Sequence, residues 1–266
     1  MTNPSNPTNA YTVPSVSITT AHTGASSKAN ELGMRTMQER AYAKRGEQYL
    51  LIKSPPASGK SRALMFIALD KLHNQGLQQA IVVVPERSIG GSFADEPLSQ
   101  QGFYWDWQVE PQWNLCNAPG IDEPRVAKSK VDAVRAFLAS TDKTLVCTHA
   151  TFRFAVEELG LEAFDNRLIA IDEFHHVSAN PDNKLGSQLS ALISRDKVHL
   201  VAMTGSYFRG DSEAVLAPSE ENKFETVTYT YYEQLNGYRW LKSLDIGYFF
   251  YTGKYVDAVA KVLDPA

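Results

Sequence analysis

Cysteine is nearly absent: Cys116 and Cys147 are the only two in 266 residues. They form no C-x-x-C pair, which excludes a zinc ribbon and a thioredoxin-like site. So few thiols suit a reducing compartment. No run of about 18 apolar residues occurs, so no transmembrane helix is expected. The N-terminus lacks both the basic and the apolar region of a signal peptide, and a cytoplasmic setting is expected. Basic charge is not in excess either: 26 Lys+Arg face 30 Asp+Glu, a net charge of −4. Composition alone therefore supplies no strong nucleic-acid footprint. Sixteen glycines and 13 prolines are too few for a collagen-like or low-complexity chain. What remains is globular: 43% hydrophobic and 21% charged residues, enough for a core without disulfide or metal staples.

Residues 1–30 read as a disordered tail, rich in Thr, Ser, Asn and Pro, with Lys28 its only formal charge. Helical periodicity starts in 31–45, with Leu32, Met37, Ala41 and Tyr42 as an apolar face. Short apolar runs then alternate with amphipathic stretches. Strands are expected at 49–52, 80–84, 144–147, 168–171 and 198–203. Helices are expected at 61–74, 126–140 and 152–159, with Gly76 as a stop after the first of these. The strand runs are apolar throughout, as in strands covered on both faces. This order argues for an α/β fold with a doubly wound, mostly parallel sheet. Residues 224–232 alternate with period two and suggest an edge strand; 248–251 form an aromatic run and 255–263 read as helical. No internal repeat is evident.

Three strand ends carry the chemistry. Ser54-Pro55-Pro56-Ala57-Ser58-Gly59-Lys60-Ser61 lies between a strand and a helix, the context a phosphate-binding loop needs. The helix N-terminus offers N–H donors and a positive dipole end. Pro55 and Pro56 have no N–H, so donors must come from Ala57, Ser58, Gly59, Lys60 and Ser61. Lys60 suits β/γ-phosphate neutralisation, and Ser61 suits Mg²⁺. The alternative is a solvated lysine at a helix start. Second, Asp172-Glu173-Phe174-His175-His176 caps an apolar run. Asp172 suits Mg²⁺, partly through water, and Glu173 suits orienting or deprotonating a water. Adjacent His175 and His176 lack the i, i+4 spacing of a zinc helix; the plainer alternative is a helix cap at Asp172. Third, Thr204-Gly205-Ser206 ends another apolar run and by itself is an ordinary turn.

In order and placement these segments resemble the first RecA-like domain of superfamily II DExH-box helicases and translocases. The DExHH form resembles the type III restriction-enzyme Res-subunit group. The resemblance spans residues 32 to 206. It implies a RecA-like P-loop NTPase domain over 31–222, with 223–266 a connector toward a second such domain. It implies ATP and Mg²⁺ as cofactors, with Lys60, Asp172 and Glu173 as the catalytic set. His175, Thr204 and Ser206 would couple nucleotide state to movement. Met34-Arg35-Thr36-Met37-Gln38 resembles the family's adenine-reading segment, which assigns Arg35 and Gln38 to the base. Segments 83–88 and 147–151 resemble motifs that meet the nucleic-acid backbone, with Pro85, Arg87 and Thr148 as contacts; the bland alternative is a surface turn and a helix cap. The first glycine of the usual phosphate loop is Ser54 here, and Ala57 stands where glycine is common. The implied partners are nucleic acid, DNA rather than RNA, and a second RecA-like domain in cis or on another subunit; no membrane is implied.

Two other classes fit parts of the pattern. One is a nucleotide-gated binding module without turnover, in which Glu173 has no use. The other is an unrelated P-loop enzyme such as a small-molecule kinase, which leaves Thr204-Gly205-Ser206 unexplained. The Trp-rich stretch Phe103-Tyr104-Trp105-Asp106-Trp107 with Trp113 belongs to none of these motifs. With no basic residue interleaved, it is expected to plug the core under a long loop.

Overall fold

The computed structural model describes residues 15–19, 30–116, 124–177, 183–205, 215–237 and 243–247. Ser206, and the expected features at 248–251 and 255–263, lie outside the described residues. In chain order the elements are β1 (Ser15–Thr19), α1 (Thr36–Tyr42), β2 (Tyr49–Lys53), α2 (Lys60–Asn74), β3 (Ala80–Val84) and α3 (Pro124–Ala139). Then follow β4 (Thr144–Thr148), α4 (His149–Leu159), β5 (Leu168–Ile171), α5 (Lys184–Arg195) and β6 (His199–Thr204). The chain continues with α6 (Pro218–Glu221), β7 (Glu225–Thr228), α7 (Tyr231–Gly237) and β8 (Ser243–Gly247). They fall into two units, Ser27–Gly237 and a second made of Met1–Ser26 with Tyr238–Ala266.

The larger unit carries six strands in the order β4-β3-β5-β6-β2-β7, every neighbouring pair parallel. Leu50, Ile52, Val82, Val84, Val201 and Met203 point to the face covered by α1 and α2. Tyr49, Leu51, Ile81, Val83, Leu200 and Ala202 point to the face covered by α3, α4 and α5. Alternate residues of each strand thus enter two separate cores. That is why the strand sequences are apolar throughout, and the α/β, doubly wound reading holds.

Four local features depart from the sequence reading. The first helix is shorter than 31–45. Asn30 Oδ1 accepts the N–H groups of Leu32 and Met34 (3.1 and 3.0 Å), and Gly33 adopts φ +68°. That turn lies in the left-handed region and breaks the expected first helical turn. Helix α4 starts three residues earlier than expected, because Thr148 caps it by accepting from Thr151 N at 3.2 Å. The alternating stretch 224–232 is a strand only over β7. Thr230 Oγ1 accepts from Glu233 N while Glu233 Oε2 accepts from Thr230 N at 2.8 Å. This capping box starts α7 at Tyr231. Helix α5, not anticipated, is capped by Asn183, whose Oδ1 accepts from Gly186 N. β7 lies in the stretch read as a connector, yet pairs in register with β2.

In the smaller unit, β1 pairs antiparallel with β8, Val16 opposite Ile246. The stretch read as a disordered tail therefore contains a strand.

Candidate nucleotide-binding site

Between β2 and α2 the chain folds into a tight loop. Gly59 is the N-cap of α2 at φ +93°. A Cβ there would lie 2.5 Å from Gln38 Nε2, so glycine is required by conformation and by space. Ala57 holds φ +60°, a left-handed position that costs a residue with a Cβ about 1 kcal/mol. Ser54, at the first-glycine position, donates its hydroxyl to Ser58 Oγ at 2.6 Å. Its backbone N–H donates to Thr204 O at 3.0 Å, tying the loop to the end of β6. The Lys60 ammonium folds back onto the carbonyls of Ser54 and Pro55 (3.0 and 3.2 Å). Burial lowers its pKa, opposed by the charges of Glu173 and Asp172. Ser61 is half-buried in the first turn of α2.

The acidic pair follows β5. Asp172 is 5% exposed, and its N–H donates to Val83 O. Burial, then the neighbouring Glu173, push its carboxyl up to about 6, against a bond from Glu173 N and the charge of Lys60. Glu173 sits at φ +49°, a second left-handed residue with a Cβ. His175 Nδ1 lies 3.2 Å from Glu173 Oε2 and 3.1 Å from Thr204 Oγ1. His149, from the start of α4, is within 3.0 Å of Asp172 O through Nε2. Burial holds that imidazole down to about 4, so the neutral ring donates Nε2–H to the carbonyl.

β6 lies between β2 and β5. The phosphate-type loop, Thr204 and the Asp172–Glu173–His175 group therefore meet at the carboxyl ends of three adjacent strands, where parallel sheets bind ligands. Arg35 and Gln38 reach the same loop from α1. Gln38 is 1% exposed; its Oε1 accepts from Arg35 N (2.8 Å) and its Nε2 donates to Gly59 O (3.1 Å). Arg35 Nη1 donates to Ala57 O at 3.3 Å. The amide of Gln38 keeps one N–H and one lone pair beyond these two bonds.

The three residues read as nucleic-acid contacts lie at or just past the carboxyl ends of neighbouring strands β3 and β4, where Val84 pairs with Thr148. Pro85 is partly exposed. Arg87 Nε donates to Cys116 O at 2.9 Å. Thr148 is 5% exposed and its hydroxyl is engaged in capping α4, which is the helix-cap alternative. The Trp-rich stretch is only half a plug. Phe103 and Trp107 are buried, whereas Tyr104 and Trp105 are 39% and 38% exposed. Trp107 donates its Nε1–H to Phe93 O inside, whereas the Tyr104 hydroxyl donates to Asp70 nearer the surface. Sequence reasoning also missed two residues at the site. His149 has no local signal for its bond to Asp172, 23 residues away. Gln234 donates to Pro56 O at 3.0 Å from α7; the Thr230-x-x-Glu233 capping box was the available sign of that helix.

Among the described residues no group of three or more His, Cys, Asp or Glu side chains is arranged to hold a metal. The Ser61 hydroxyl and the Asp172 carboxylate are nevertheless the hard oxygen donors that Mg²⁺ takes when phosphate and water complete its shell. Burial, then the charge of Glu173, raises the pKa of Asp172, a cost that a cation at this carboxylate would offset.

The sequence matches the DEAD/DEAH box helicase family over residues 35–211, more than half of the chain. The chain belongs to this family. It is 56% identical over 242 residues to the Bacillus subtilis (strain 168) protein YeeB, whose name describes an ATP-dependent helicase. The match covers 91% of this chain and 39% of YeeB, so the chain spans well under half of that relative's length. Among solved structures, the Pyrococcus furiosus Hef helicase domain is similar at 19% identity and a TM-score of 0.45, over 73% of this chain and 38% of that one. The UvsW helicase from bacteriophage T4 is similar at 15% identity and a TM-score of 0.45, over 73% and 60%. For a DEAD/DEAH box chain, ATP is the expected nucleotide. No described helix of this domain is long and apolar enough to cross a membrane.

Proposed function

We propose that this helicase-family domain is the ATP-binding half of a nucleic-acid-dependent ATPase that moves along or unwinds DNA in the cytoplasm. The observation that carries this reading is the convergence of Lys60, Asp172–Glu173 and Thr204 at adjacent strand ends, with Ser54 N bonded to Thr204 O. Backbone N–H groups at the start of α2 cradle the phosphates, and Lys60 exchanges its two loop carbonyls for phosphate oxygens. Ser61 and Asp172 would hold Mg²⁺, which would supply charge neutralisation at the transferred phosphoryl group. Glu173 orients the attacking water and takes its proton. His175 touches both Glu173 and Thr204, so a change at the acid is felt at the end of β6; Ser206 belongs to the same coupling segment. Arg35 and Gln38 hold the adenine. Pro85 and Arg87 face the nucleic-acid backbone. A second RecA-like domain, in cis beyond the 223–266 segment or on another subunit, supplies the arginine that such sites use, worth 10³–10⁵ in rate.

ATP binding and single-turnover hydrolysis of the wild type, Lys60→Ala and Glu173→Gln test this. Lys60→Ala is expected to lose ATP affinity. Glu173→Gln is expected to keep affinity and lose the slow turnover. Unchanged turnover in Glu173→Gln would leave the binding module as the better reading. Brisk DNA-stimulated hydrolysis by this chain alone would remove the need for a second domain.

A further inference from the structure

The Trp-rich stretch is the one sequence motif that the nucleotide site leaves unused. Its two ends are anchored. Trp107 is fully buried and donates Nε1–H to Phe93 O at 3.1 Å. Its backbone exchanges two hydrogen bonds with Glu96 (2.9 and 3.0 Å). Phe103 is buried against Phe66 and Tyr42. Between these anchors the crest is turned outward and held rigid. The Tyr104 ring is stacked between Phe103 (4.2 Å) and His73 (4.7 Å), and its hydroxyl donates to Asp70 Oδ2 at 3.1 Å. Trp105 stands edge-on to His73 at 4.8 Å. Trp113 packs edge-on to Phe137 and donates Nε1–H to Asp142 Oδ2 at 2.6 Å.

Tyr104, Trp105 and Trp113 line a cavity of about 540 Å³ together with Asp106, Glu110 and Asp142. None of the three carboxylates is in a salt bridge with a described residue. Asp106 accepts a backbone bond from Ser99 N (2.7 Å) and Asp142 accepts from Trp113. The one cation on the wall, Lys143, directs its ammonium to Gln78 O. The cavity thus combines preorganised aromatic rings with three carboxylates, none in a salt bridge with a described residue, against one lysine on the wall. A polyanion is repelled by such a wall, even though bases stack on aromatic rings. A guanidinium is favoured twice over: it stacks on tryptophan faces and forks onto carboxylates. The cavity opens beside the start of β4, at the amino end of the strand, whereas the nucleotide loops occupy the carboxyl ends. An occupant there leaves the nucleotide site clear.

We propose that this aromatic, acidic cavity is a docking site for an arginine side chain presented by a partner protein. The probe is N-acetyl-arginine amide, titrated into the full chain while the tryptophan indole N–H resonances are followed by NMR. N-acetyl-citrulline amide, of the same shape and uncharged, is the control. Arginine amide is expected to give a saturable shift at Trp105 and Trp113 and none at buried Trp107, and citrulline amide is expected to give no shift. Trp105→Ala should weaken the affinity about two- to fivefold. Glu110→Gln, an exposed and conservative change, should weaken it in the same direction. Both variants should bind ATP as the wild type does. Equal shifts from citrulline amide, an unchanged affinity in both variants, or the same indole shifts from a single-stranded oligothymidine would each overturn the proposal, the last pointing to a nucleic-acid surface instead.

Discussion

The two ends of the parallel strands differ in how their buried polar groups are satisfied. At the amino ends nearly every such group has a fixed partner. Gln79, just before β3, donates to Phe137 O and Asp142 O and accepts from Arg167 Nε. Arg167, just before β5, also donates to Ala163 O, Asp165 O and Leu138 O. Lys71 donates to Glu47 O at 2.6 Å and meets His199 Nδ1 at 3.0 Å, where β6 starts. Left-handed residues with a Cβ occur at both ends: Asn166 and Asp196, of the types that tolerate it, before β5 and β6, and Ala57 and Glu173, for which it is strained, at the carboxyl ends. There Lys60 is held only by carbonyls of its own loop, and Asp172 is buried with a raised pKa. At the amino end the buried polar groups are satisfied and serve stability. The carboxyl end stores strain at Ala57 and Glu173 and a buried acid at Asp172, which under the proposed function a ligand with phosphate and metal would relieve.

Substitutions at the two ends should therefore separate activity from stability. The largest effect is expected for Glu173→Gln: turnover should fall about 10²- to 10⁴-fold, with the melting temperature unchanged. A matching loss of stability would erase the distinction. Next, Arg167→Ala strands four acceptors at the amino end and should cost about 2–4 kcal/mol in urea unfolding, with ATP affinity intact. A smaller effect concerns pH. Burial and the Lys71 ammonium hold His199 down to about 4, below its ordinary 6.5. As pH falls the unfolded chain takes up the proton first. This contribution to stability is thus complete above about 6.5 and is lost as pH drops toward 4, by up to about 1.4 kcal/mol per pH unit. His149, also held down to about 4, adds to the slope over the same range, so urea titrations should show a slope that His199→Asn reduces without abolishing. Lys71, held down to about 8 by burial, titrates above this window. The smallest effect is expected for Ala57→Gly. Relief of left-handed strain and the added freedom of the unfolded chain oppose each other, so stability should move by less than about 1 kcal/mol. A loss well beyond that would mean Ala57 is not strained.

Much of the fold was legible because its signals are local. Residues 80–84 and 168–171 are apolar throughout and became β3 and β5 with the expected bounds. The stretch ending in Gly59-Lys60-Ser61 lies between a strand and a helix, as read. The failures came where a side chain's partner was needed to decide. Asn30 and Gly33 cut α1 short, and Thr148 extended α4 backwards. The Thr230–Glu233 box turned an alternating stretch into a helix start. The Trp-rich stretch divided residue by residue, because Trp107 found the Phe93 carbonyl inside while Tyr104 found Asp70 at the surface.

By itself the sequence determined that strands and helices alternate, that both sheet faces are covered, and which strand ends carry a lysine, an acid pair and a Thr-Gly turn. Those are properties of short windows, set by apolar periodicity and by residues adjacent in the chain. Only the tertiary structure decided that β6 lies between β2 and β5, which brings Ser54, Thr204, His175 and Glu173 into contact across more than a hundred residues. Strand order follows from how the helices pack on the two faces. No local pattern encodes which neighbour a fully apolar strand takes, because either of its edges offers the same backbone hydrogen bonds.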